Sequence, residues 1–161
     1  MGAKSEVLAK QFEVKAQAAA AEVEKLSDAD WKKVTEAEKW TVGVTAHHVA
    51  GAFEPVAGIV TSIVSGQSMG NFTTGMLDEM NAKHAKEHAG CTKAETAVLF
   101  KKGAVTAAAV VRGLSDEQLS KSGTVFTNVP PMSAEQLIMA GLIGHIDEHL
   151  GSIRKTIGAK P

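Results

Sequence analysis

A serine or threonine followed three residues later by glutamate or glutamine recurs at Thr35/Glu38, Thr92/Glu95, Ser115/Gln118 and Ser133/Gln136. Such a pair caps the orphan amides of a helix start reciprocally, so a chain punctuated this way is committed to helices. Apolar runs at helical spacing follow, and Gly66, Gly90, Gly113 and Gly158 stand where the runs end. The pattern predicts helices over about 4–26, 42–64, 74–89 and 93–112 and a last one after Ser133 to about 157, with a short segment after Ser27 that carries Trp31 and Val34. Residues 66–71 read as a loop. Residues 123–129 are β-prone, and Pro130-Pro131 forbids a helix there, so this stretch reads as an extended crossover. The fold class expected is all-α, a four-helix bundle with a crossover connection before the last helix, in a single domain over 1–161.

Charge narrows the function. Seventeen basic and eighteen acidic residues leave a formal net charge of -1, so there is no broad positive field to hold nucleic acid or an anionic membrane. No uninterrupted apolar run approaches the roughly 20 residues of a membrane span. Cys91 is the single cysteine and cannot form an internal disulfide. The opening Met-Gly-Ala-Lys-Ser-Glu lacks the apolar core of a signal peptide, and Glu6 occupies the position where a myristoylation signal wants Ser or Thr. A cytoplasmic protein is the expectation.

The six histidines fall into three pairs, His47/His48, His84/His88 and His145/His149. Four helical residues turn through about 400°, so His145 and His149 project from one face on consecutive turns and can share an ion. On the helix over 42–64, His48 shares a side with Thr45, Ala52, Val56, Ile59 and Ile63, whereas His47 is rotated by about 100° toward the rim. His145 and His149 adjoin the stripe of Ile138, Leu142, Ile146 and Ile153. His48, His145 and His149 therefore form the candidate metal site, since neutral imidazole is the commonest protein ligand for zinc, nickel, copper or iron. Gly51, Pro55, Gly144 and Gly151 lie near these residues, and a kink or bulge is expected at Pro55.

The stretch Trp40-Thr41-Val42-Gly43-Val44-Thr45-Ala46-His47-His48 resembles the tryptophan-to-histidine motif of the DinB-like metalloprotein superfamily, with His48 at the ligand position. His145-x-x-x-His149 followed by Leu150-Gly151-Ser152-Ile153 is similar to the family's terminal motif, in which glutamine is usual at the place of Ser152. Asn81-Ala82 and Leu114-Ser115-Asp116-Glu117-Gln118-Leu119 are similar to further family features, and together the motifs span nearly the whole chain. The resemblance implies a four-helix bundle with a three-histidine site for a divalent metal, zinc or nickel first and iron or manganese next, often in a homodimer. It also implies a small-molecule substrate, since members include thiol-dependent transferases, a maleylpyruvate isomerase and hydrolase-like proteins.

Three protein ligands leave a position open for water or a low-molecular-weight thiol, and a metal lowers the pKa of either. Glu148 lies about 60° from His145 in phase and Asp147 about 160°, so Glu148 is the candidate base or outer partner, against the plainer reading of a solvated helix acid. A helix start could lower the thiol pKa of Cys91, or the cysteine is incidental. His84 and His88 could hold a second ion, but near a helix end they read better as caps of the last carbonyls. Trp31 and Trp40 read as anchors for the N-terminal segment. Two functions stay open: a metal-dependent enzyme, or a non-catalytic metal-binding or ligand-sensing bundle. Di-iron chemistry fits poorly because it wants Glu-x-x-His on two helices.

Overall fold

The computed structural model describes residues 2–67 and 69–159. Its elements follow the punctuation. Helix α1 spans Ala3–Lys25, a short α2 Asp28–Trp31, α3 Val42–Val64, α4 Thr74–Glu87, α5 Lys93–Arg112 and α6 Asp116–Ser120. Strands β1 (Ser122–Gly123) and β2 (Met132–Ser133) pair antiparallel, and α7 (Ala134–Leu137), a π-helical stretch Ile138–Gly144 and α8 (His145–Ile157) complete one rod. The fold is the expected four-helix bundle, made of α1, α3, α5 and the α7–α8 rod, and β1 and β2 close the crossover before it.

Alanine and phenylalanine explain why α1, α3 and α5 meet closely. Ala16, Ala19 and Ala20 of α1 and Ala104, Ala107 and Ala108 of α5 are all buried, so backbones approach where side chains are small. Phe12, Phe53 and Phe100 are each 0% exposed and interlock edge to face, with ring centroids 5.0 Å apart for Phe12–Phe53 and 5.7 Å for Phe53–Phe100. A Cβ at Gly103 would come within 3.4 Å of Phe53, so glycine there lets α5 close on α3. Arg112 bridges α5 to Glu6 and Glu13 of α1, which holds the Glu13 carboxyl below its ordinary pKa through the Arg112 hydrogen bond. No helix among the described residues is long and apolar enough to cross a membrane.

Three expectations change. Thr92, Ser115 and Ser133 are reciprocal caps as expected, but Thr35 starts no helix. It is buried in a tight turn, which frees Glu38 for another partner. Helix α3 runs unbroken past Pro55, which lies on its exposed side, and the irregularity falls instead on the last rod, at the π stretch. The predicted third helix, α4, buries no side chain and lies outside the bundle against α3.

Candidate metal centre

The turn before α3 sets the site. Val34 and Thr41 form an isolated antiparallel bridge, the Val42 amide donates to the Lys33 carbonyl at 2.8 Å, and the Thr35 amide donates to the Trp40 carbonyl at 2.8 Å. Lys39 takes a left-handed φ of 62° to close the turn, a conformation that costs a non-glycine residue about 1 kcal/mol or more. Thr41 then caps α3 by accepting from the Val44 amide at 3.1 Å. Trp31 fastens this segment as expected, donating from its indole to the Cys91 carbonyl at 3.0 Å. It lies so close to Gly43 that a Cβ there would sit 2.5 Å from the ring.

The opposite wall comes from the rod. A π turn widens the helix, and Gly141 and Gly144 stand where there is no room: their Cβ atoms would meet Val56 and the Met139 carbonyl, each at 3.0 Å. The α-helix resumes at His145, with Ile146, Leu150 and Ile153 buried beneath.

His48, His145 and His149 meet, as their phases predict. The Nε2 atoms of His48 and His145 are 3.1 Å apart, and ring centroids lie 5.0 Å apart for His48–His149 and 4.5 Å for His145–His149. One nitrogen from each ring falls within 4.8 Å of the others, so the three can hold one metal ion. Two imidazoles on a tetrahedral ion with bonds of about 2.0–2.1 Å place their nitrogens about 3.3 Å apart, so the His48–His145 pair needs to open by only about 0.2 Å. His145 Nδ1 is buried with no protein partner among the described residues, so its hydrogen bonding is not complete within the protein. Burial foremost, then the neighbouring imidazoles, lowers His48 to about 3 and His145 to about 4. At neutral pH these rings are uncharged, as ligands must be.

The residue that sequence reasoning missed is Glu38. Its Oε1 lies 2.8 Å from His149 Nδ1, and its Oε2 accepts from the Ser152 hydroxyl at 2.6 Å. Burial alone would raise this carboxyl, but hydrogen bonds from Ser152, Thr35 and His149 outweigh it and hold the group ionised, below its ordinary pKa. A carboxylate on Nδ1 fixes the tautomer of His149 and turns Nε2 toward the cluster. Glu148, the candidate chosen by phase, is exposed, as is Asp147, which pairs with Lys15 at 2.6 Å. Trp40, read as an anchor, also packs on His48, ring centroids 5.2 Å apart. Burial raises the Cys91 thiol above its ordinary pKa, and Glu95 adds to the effect, so no thiolate is favoured there.

A second cluster lies beside the first. His84 and His88 turn their rings onto His47 rather than serving as carbonyl caps: His47 Nδ1 and His84 Nε2 are 2.8 Å apart, and the His47 and His88 rings stack at 4.1 Å.

The depressed histidines give the metal-free protein a pH signature. Between the unfolded pKa near 6.5 and the folded values near 3 to 4, the unfolded chain binds protons that the native state refuses. Stability therefore falls as pH drops through that window and is flat above it, at up to about 1.4 kcal/mol per pH unit for each such group. Urea midpoints of chelator-treated protein should be lower at pH 5 than at pH 7, and the slope should flatten in His145→Ala. A midpoint unchanged between the two would contradict burial of neutral rings.

Known proteins bear on this geometry. The family model of the mycothiol maleylpyruvate isomerase N-terminal domain matches residues 12–142, a span that contains His48 and Glu38 and stops just short of His145. No curated protein sequence matches the chain. Among solved structures, the chain is similar to YfiT from Bacillus subtilis, described as "a probable metal-dependent hydrolase with an unusual four-helix bundle topology". The TM-score is 0.73 at 14% identity, over 99% of this chain and 91% of that one. At that identity the likeness is one of fold.

Proposed function

Because the chain belongs to the family of the mycothiol maleylpyruvate isomerase N-terminal domain, a DinB-like family, we propose that it is a metal-dependent enzyme that activates a thiol or water nucleophile, as a transferase, isomerase or hydrolase. His48, His145 and His149 are its metal ligands. The observation that carries this reading is the Glu38 carboxylate on His149 Nδ1, an outer partner of the kind that metal-bound histidines keep. Three imidazoles suit zinc or nickel first, then iron or manganese. When bound, the ion supplies a Lewis acid with a position open for water or thiol.

The protein's own residues do the rest. Glu38 holds the Nδ1 proton of His149 and the Ser152 hydroxyl anchors Glu38, so that ring is oriented before anything binds. Ser152 stands where the family usually has glutamine and here serves as a hydrogen-bond donor. Trp40 covers one side of His48. The substrate is a small molecule, a low-molecular-weight thiol being the first candidate, and the working form a cytoplasmic homodimer. Neither nucleic acid nor membrane is a partner.

One observation favours the second reading, a non-catalytic metal-binding bundle: Glu38 commits both carboxylate oxygens to His149 and Ser152, and Glu148 faces solvent, so neither of these two acids stands free as a general base. Cobalt substitution separates the two. A saturable change in visible absorption on adding a small thiol to His84→Ala, absent in His84→Ala/His149→Ala, supports an open coordination position at the first cluster and thiol chemistry. A spectrum that no thiol alters would sink the transferase reading.

A further inference from the structure

We propose that His47, His84 and His88 form a second divalent-cation site, for a zinc-like transition ion, that fastens α4 onto α3. It is distinct from the first cluster, because the two share no residue.

Helix α4 poses the question. It buries no side chain, and Met76 and Met80 are 45% and 58% exposed, so no apolar stripe docks it, although amphipathic packing is what usually holds a helix of this length. Its end is nonetheless placed. His84, on its last turn, and His88, its C-cap, bring their rings within 4.5 Å of each other, and to 4.9 Å and 4.1 Å from His47 on α3. One nitrogen from each ring lies within 4.8 Å of the others.

Hydrogen bonds among the three rings leave a donor or acceptor over. His84 Nδ1 is buried and has no protein partner among the described residues, while its Nε2 faces His47. The His47 Nδ1 to His84 Nε2 distance of 2.8 Å would widen by about 0.5 Å around a tetrahedral ion, a ring rotation within reach of half-buried side chains. Three imidazoles without a carboxylate select a borderline ion such as zinc, nickel, copper or cobalt over magnesium or calcium. The His48 and His84 rings are 5.9 Å apart, so the end of α4 is fixed beside the first cluster.

The test is a zinc titration of the chelator-stripped full chain, with bound metal counted by elemental analysis after dialysis. Wild type should bind two equivalents, His84→Ala and His88→Ala one, His145→Ala one, and His84→Ala/His145→Ala none. Loading wild type with both equivalents should slow amide exchange over residues 74–87 relative to the stripped protein, and loading His88→Ala with its one equivalent should not. One equivalent in both wild type and His84→Ala overturns the second site and leaves the first standing. Two equivalents with unchanged exchange in α4 overturn the clamp. Loss of metal from His84→Ala alone, with His145→Ala still loaded, would instead remove the first site and keep this one. His88→Gln, which keeps the residue polar, guards against loss through misfolding, and it should also bind one equivalent.

Discussion

Alanine at His149 should abolish stoichiometric metal binding at the first cluster, and His48→Ala and His145→Ala should match it, while His47→Ala keeps that ion. Each ring supplies one of three donors on two separate elements, and an ion left with two imidazoles has lost its chelating geometry. The loss should exceed the roughly 10- to 100-fold that removal of an outer partner costs. Glu38→Gln should show that smaller loss, because the amide oxygen can still accept from His149 Nδ1 but carries no charge. Glu148→Gln should show none, because Glu148 is exposed. Competition against a chromophoric chelator measures the six variants and wild type on one scale. If Glu38→Gln bound as tightly as wild type, or Glu148→Gln as poorly as His149→Ala, Glu38 would not be the outer partner.

Periodicity and caps fix what is local, and the bundle was legible for that reason. Thr92, Ser115 and Ser133 signal their helices through contacts three residues away, and His145 and His149 share a face by helical geometry alone. The phase of His48 on α3 likewise follows from its own helix. Glu38 was hidden by the same logic. Its spacing from Thr35 is that of a capping box, yet the side chain reaches His149, 111 residues away, and no local rule carries that distance. A carboxylate two residues before a tryptophan-to-histidine segment, with a serine three residues past the last histidine, is the signal that could have found it. His47 was set at the rim because phase describes one helix at a time, and the partner that covers it, α4, packs through histidines rather than through an apolar stripe. The π stretch escaped because Gly141 and Gly144 read as tolerated helix glycines until Val56 and the Met139 carbonyl stand against them.

Phe53→Ala should cost about 3–5 kcal/mol, the range for a fully buried aromatic truncated to alanine, whereas chelation should cost less and leave the helices intact. Phe53 is 0% exposed and joins Phe12 of α1 to Phe100 of α5, so its loss opens a cavity where three helices meet. For a chain of this size the melting temperature should drop by roughly 6–20 °C. An ion bound only by the native state adds about 2.7 kcal/mol at a hundredfold excess over its dissociation constant, and chelation removes that amount. Thermal melts followed by circular dichroism compare the two directly. The interlocked phenylalanines lie in a core built without any histidine, so the metal-free protein should remain helical with a lowered midpoint. Complete unfolding on chelation, with Phe53→Ala the milder of the two, would mean that the ion is a staple of the fold. The three-histidine cluster would then answer to stability rather than to catalysis.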